Sequence, residues 1–188
     1  MARPRSDDKR AAIMSAATRV IASHGLSAAT AMIAKEAGVS NGSLFTYFDT
    51  KPDLLNQLYL ELKTDMGAAA LGGLPAGGHV REQLLHMWSR WMHWAAAYPE
   101  KRRALAQLEV SDEITVRTHQ AASQALTGVA GILERSRENG PMRDVSLTFV
   151  VGLASALADT TIDFIIRDPG GAETHSRTGF DALWRMIA

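Results

Sequence analysis

Cysteine is missing from all 188 residues of the chain. Without a thiol there is no disulfide framework, no thiolate nucleophile and no cysteine-ligated zinc or iron–sulfur centre. An excess of one charge sign is missing as well, since 20 Lys and Arg face 20 Asp and Glu. The whole chain therefore carries no polyelectrolyte signal. The basic residues Arg3 and Arg5 are not followed by an apolar run, so the N-terminus does not read as a secretory signal and a cytoplasmic location is expected. The most apolar stretch, 145–166, is interrupted by Asp159, Asp163 and several hydroxyl residues. It reads as a buried or interface helix, not a membrane span. Sustained strand alternation between hairpin turns is also lacking.

What is present is a 46% hydrophobic share, ample for a packed core. Charge is unevenly placed: residues 1–51 hold seven basic side chains against four acidic ones, a net +3 that the remainder cancels. A basic end on an otherwise acidic chain is a modest nucleic-acid signal. Nearly every long segment has helical period, so an all-α fold of about nine helices is expected, three short ones and then six mostly longer ones. Ser6 is expected to cap the first, with Asp7 and Asp8 near its positive end and Gly25 as its stop. The second is expected after Thr30 as N-cap and the third after Ser40. A fourth runs from Lys51 to about Leu71, with Pro52 tolerated in its first turn. The glycine-rich segment 72–78 is a loop. Further helices are expected over 79–98, 100–110, 112–138, 144–167 and 173–187. Two domains follow, a helix-turn-helix over 1–51 and a helical ligand-binding and dimerisation domain over 52–188.

The segment from Thr30 to Phe48 reads as helix, tight turn and helix. Ala34 permits close crossing, Gly38 supplies the turn, Val39 plugs the space, and Ser40 caps the second helix. The residues that open that second helix are placed to meet base edges in a major groove. Residues 8–55, with Ile33-Ala34, Ala37-Gly38-Val39-Ser40, Tyr47-Phe48, Lys51 and Leu54-Leu55, resemble the DNA-binding domain of the TetR family. The resemblance implies phosphate contacts from Thr30, Ser43, Tyr47 and Lys51, and base contacts from Asn41, Gly42 and Thr46, with Ser40 at the helix start. Phe45 stands where the family commonly has tyrosine, which leaves an apolar contact, for instance with a thymine methyl. It further implies a homodimer on a palindromic double-stranded operator, acting as a repressor released by a small ligand.

Gly38-Val39-Ser40-Asn41-Gly42 also satisfies the G-x-S-x-G pattern of a hydrolase elbow. That elbow needs a buried strand before the serine, and 32–37 is expected to be helical. His79, His86 and His93 recur every seventh residue, about 10.5 Å apart on a helix, too far for one ion. Walker and G-x-G-x-x-G patterns are absent, so neither a cofactor, a metal nor an enzyme activity is expected.

In the remainder, Leu84, Met87, Trp88, Trp91, Ala95 and Tyr98 share one helical stripe, which suits a core more often than a ligand box. Tyr59 and Lys63, one turn apart on the fourth helix, supply polar tips that could orient a ligand. A pocket of Tyr59, Lys63, Met66, Met87, Trp88 and Trp91 is expected. Segments such as Leu58-Tyr59-Leu60, Gln107-Leu108, Thr160-Thr161 and Arg167-Asp168-Pro169 are similar to the RamR type of multidrug-responsive repressor. That implies bulky hydrophobic, often cationic effectors and control of efflux genes, although Val151 and Ala154 offer neither stacking nor charge where the type needs them. The last two helices look like the family's dimer bundle, with Gly152, Ala156 and Thr160 as a small-residue line and Phe164, Phe180, Leu183 and Trp184 as anchors. The same fold acting as an activator or quorum-type regulator is the alternative reading.

Overall fold

The computed structural model describes residues 3–75 and 77–188, with side chains from Asp7 onward. Among the described residues all regular structure is helical: α1 (Arg3–His24), α2 (Thr30–Glu36), α3 (Asn41–Leu44), α4 (Lys51–Leu71), α5 (Val80–Ala97), α6 (Pro99–Glu109), α7 (Val116–Ala125), α8 (Thr127–Ser136), α9 (Leu147–Arg167), a 3-10 turn at Pro169–Gly171, and α10 (Ala172–Ile187). Ten α-helices stand where about nine were expected.

The chain forms two compact units. The first takes residues up to Thr64 together with Tyr98–Gln124, and the second Asp65–Ala97 with Ala125–Ala188. These packing units do not follow the expected division at residue 51, because α6 packs against α1 in the first unit. Its core is the apolar face of α1, including Ile13, Ala17 and Ile21, closed by Ile33, Leu44, Phe48, Leu55, Leu58 and Leu108, all buried. Gln107 reinforces the α1–α6 contact by donating to the Ile21 carbonyl at 3.1 Å.

The second unit is built on α9. Val150, Ala154, Ala158, Thr161, Ile162 and Ile165 are buried along one side of that helix, which packs against α5, α8 and α10. By length and composition α9 could cross a membrane, with a mean hydropathy of 1.7 over its most apolar window. Its buried face instead serves as the core of this unit. Gly179 lets α10 come close: a Cβ there would strike the Thr161 hydroxyl and lie 2.9 Å from the Trp88 ring.

Several expected boundaries are corrected. α1 begins at Arg3, ahead of the expected cap, and the Ser6 side chain lies outside the described residues. Ala29, extended and without a side-chain cap, is the N-cap of α2, so Thr30 is its first helical residue. α3 ends at Leu44, and 45–47 form a turn. The single helix expected over 112–138 is two, broken at Leu126. There Leu126 and Leu71 each face a glycine: Gly67 would carry a Cβ only 2.6 Å from Leu126, and Gly128 one 2.8 Å from Leu71. Residues 112–114 form a separate turn. The Thr115 hydroxyl accepts from the Thr118 N–H at 3.2 Å, a local bond that competes with helix continuation. α9 starts at Leu147, not at 144, because buried Arg137 holds the preceding loop. Its Nη1 donates to the carbonyls of Met142 and Arg143, at 2.6 and 3.1 Å, and to that of Val145.

Candidate nucleic-acid interface

α2 ends in a turn whose chemistry demands glycine. The Val39 N–H donates to the Ala34 carbonyl at 2.9 Å and the Gly38 N–H to the Lys35 carbonyl at 3.2 Å. This Schellman pair needs a left-handed residue between the helices. Gly38, with φ +68°, supplies it. Ser40 then caps α3 by accepting from the Ser43 N–H at 3.0 Å, which satisfies one of the free donors of a helix start. Ser40 thus follows a helix and a turn, with its hydroxyl engaged as a cap, and not a strand as a hydrolase elbow requires.

Buried Ile33, Ala34, Leu44 and Phe48 fix α2 and α3 against the core. That leaves Ser40, Asn41, Gly42, Phe45 and Thr46 exposed and Thr30, Ser43 and Tyr47 half-buried. The structure thus brings the expected contact residues onto one short segment of the first unit. Phe45 is 40% exposed, a large apolar ring left in water at the end of α3. Thr46 turns its hydroxyl back to the Ser43 carbonyl at 2.7 Å, so its methyl group is the freer end. Lys51, at the start of α4, donates to the Leu26 carbonyl at 2.6 Å, which ties α4 to the loop after α1.

The residues expected to bind an effector divide. In the first unit Tyr59 is buried, and its hydroxyl donates to Glu109 Oε2 and meets His119 Nδ1, each at 3.1 Å. Lys63 pairs with the same Glu109 oxygen at 2.6 Å and lies 5.5 Å from the Tyr59 ring centre. Burial, and then the charge of Glu109 and its hydrogen bond, push the Tyr59 phenol far above its ordinary range. Glu109 and His119 were not among the expected residues. The signal for them is two polar groups on the inner face of α4, which must have partners when buried; the partners lie 46 to 60 positions away.

In the second unit Met87 and Trp88 are buried. Trp88 donates its indole N–H to the Ser176 carbonyl at 2.9 Å and meets Trp91 edge-on at 6.4 Å. Both are packed into the core of that unit, while Met66 and Trp91 are half-buried. His86, from the seven-residue series, holds the Gly72 carbonyl at 2.8 Å.

The dimer candidates divide too. Gly152, Ala156, Thr160 and Phe164 lie exposed along α9, with Phe149 on the same face. Phe180 and Leu183 are buried within their own unit. Half-buried Trp184 stacks on Phe180 at 6.4 Å, and Arg81 lies over both rings.

Residues 13–58 match the sequence model of a family described as bacterial regulatory proteins, tetR family. A solved structure from Shewanella sp. PV-4, assigned to the tetR family of transcription regulators, superposes with a TM-score of 0.83 at 24% identity, covering 94% of this chain and 95% of its own. A TetR family transcription regulator from Marinobacter aquaeolei VT8 gives 0.81 at 24% identity over 97% and 96%. The transcriptional regulator FadR from Bacillus subtilis, solved with stearoyl-CoA, gives 0.71 at 19% identity over 95% and 99%. Residues 13–58 therefore carry the TetR family's N-terminal sequence pattern, and the chain as a whole has the fold of solved TetR-family regulators.

Proposed function

We propose that this protein is a DNA-binding transcription regulator, a homodimeric cytoplasmic repressor that leaves a palindromic operator when a small hydrophobic effector binds. The observation that carries the reading is the segment 30–51. Its Schellman turn and serine cap present Asn41, Gly42, Phe45 and Thr46 to solvent, between side chains able to hold phosphates. Phosphate contacts from Thr30, Ser43, Tyr47 and Lys51 set register, and base contacts specify sequence. Two such segments about 34 Å apart would read the two halves of a palindrome.

The exposed face of α9 supports pairing of two copies, since an apolar line with small residues allows close helix approach. An effector role for the rest of the chain is supported by the B. subtilis protein of this fold, which was solved holding stearoyl-CoA. Control of efflux or drug-response genes rests on the RamR-like segments alone. The test is a footprint on the DNA upstream of the protein's own reading frame. A protected inverted repeat supports the proposal; uniform, sequence-independent protection at low salt only, or none, overturns it.

A further inference from the structure

The cluster where α4, α6 and α7 meet in the first unit is a cationic cradle already filled by a carboxylate of the chain itself. Glu109 Oε2 receives the Lys63 ammonium at 2.6 Å and the Tyr59 hydroxyl at 3.1 Å, and His119 stands 3.1 Å from that hydroxyl on its other side. The partners differ in their freedom to leave. The Lys63 side chain is 17% exposed and Tyr59 only 2%, whereas the Glu109 side chain is 45% exposed. Glu109 is also the last residue of α6, where the helix dipole disfavours a negative charge. Val110, next in the chain, is 83% exposed, so the glutamate has open solvent to swing into.

Of the pair, then, Glu109 is the partner that can return to water at low cost. Lys63 cannot do so without leaving the protein interior. If Glu109 departs alone, the largely buried Lys63 ammonium loses its counter-charge and the Tyr59 hydroxyl keeps only His119, which is costly for groups held away from water. Another anion restores both bonds. A cation has no such place, because it would compete with Lys63 for the same oxygen.

The geometry points to a ligand site of carboxylate chemistry: a hydrophobic organic acid displaces Glu109 from Lys63 and Tyr59 and takes over its two bonds. This rests on the effector-responsive reading above and names its ligand class. The exchange unties the end of α6 from α4, the helix that begins at Lys51. No covalent step is involved.

Equilibrium dialysis of the purified full chain, free of DNA, against decanoate, decanol and decylamine below their micelle concentrations tests it. Decanoate binds at least about tenfold more tightly than the alcohol or the amine, the scale of one charge-assisted hydrogen bond. Lys63→Met removes that preference, and Glu109→Gln, which keeps the shape but not the competing charge, strengthens decanoate binding about tenfold. Circular dichroism checks the fold of each variant. Should Lys63→Met fail to fold, Glu109→Gln alone decides. Equal decanoate binding by wild type and Glu109→Gln, or a preference for the amine, overturns the proposal. Acid binding by a protein that ignores DNA would sink the regulator reading and leave this site standing; a DNA-binding protein blind to the acid would do the reverse.

Discussion

Tyr59 shows how one buried hydroxyl couples stability to pH. Its phenol is held neutral by burial and by Glu109, whereas in the unfolded chain it ionises near pH 10. The unfolded state therefore releases its proton first as pH rises. The contribution is fully present below about pH 10 and is lost progressively above it. Tyr59→Phe removes the hydroxyl's bonds and should cost about 1–2 kcal/mol at neutral pH. Urea titrations from pH 7 to 12 check the rest: the gap between wild type and variant should shrink above pH 10, since phenylalanine has nothing to ionise. A gap independent of pH would mean that Tyr59 is not held neutral by the fold. Tyr59 and Lys63 were visible in the sequence as polar groups on an apolar face. Glu109 and His119 were not, because only the folded chain brings α6 and α7 to them.

Among the elements, what could be read from the sequence was local chemistry and what could not was tertiary. Glycine stops at Gly25 and Gly38 and the cap at Ser40 act through neighbouring backbone bonds, and all three stand as expected. At the break, Leu126 and Leu71 face Gly67 and Gly128 across two helices, and ahead of α9 buried Arg137 holds the loop. Neither leaves a periodic trace. The aromatic stripe of α5 marked its buried face, while a core face and a ligand face share one period and the sequence alone does not separate them. Close packing of α10 makes a direct test. Gly179→Ala places a methyl against Thr161 and Trp88, and overpacking of this kind costs about 1–3 kcal/mol. At this chain length that lowers Tm by roughly 2–12 °C, and pairing it with Thr161→Ala should recover part of the loss. An unchanged Tm would show that α10 can shift away freely.

For the molecule as a whole, the two kinds of aromatic residue in α9 and α10 predict opposite outcomes. Phe164 is 50% exposed and meets only the edge of its unit, with the His175 ring 5.7 Å away. Phe164→Arg should leave the melting transition of the monomer little changed but give monomers in sedimentation, with loss of operator affinity. Phe180→Arg buries a charge in the core and should unfold the second unit outright. If Phe164→Arg still sediments as a dimer, the pairing face lies elsewhere. The central claim is that 30–51 docks on DNA, and the most direct measurement is the salt dependence of operator affinity for wild type, Lys51→Ala and Asn41→Ala. Lys51→Ala should weaken binding to all sequences and reduce the salt slope by about one, while Asn41→Ala should keep the slope and relax preference at particular bases. If both variants bind with the wild-type affinity, slope and sequence preference, this segment does not touch DNA.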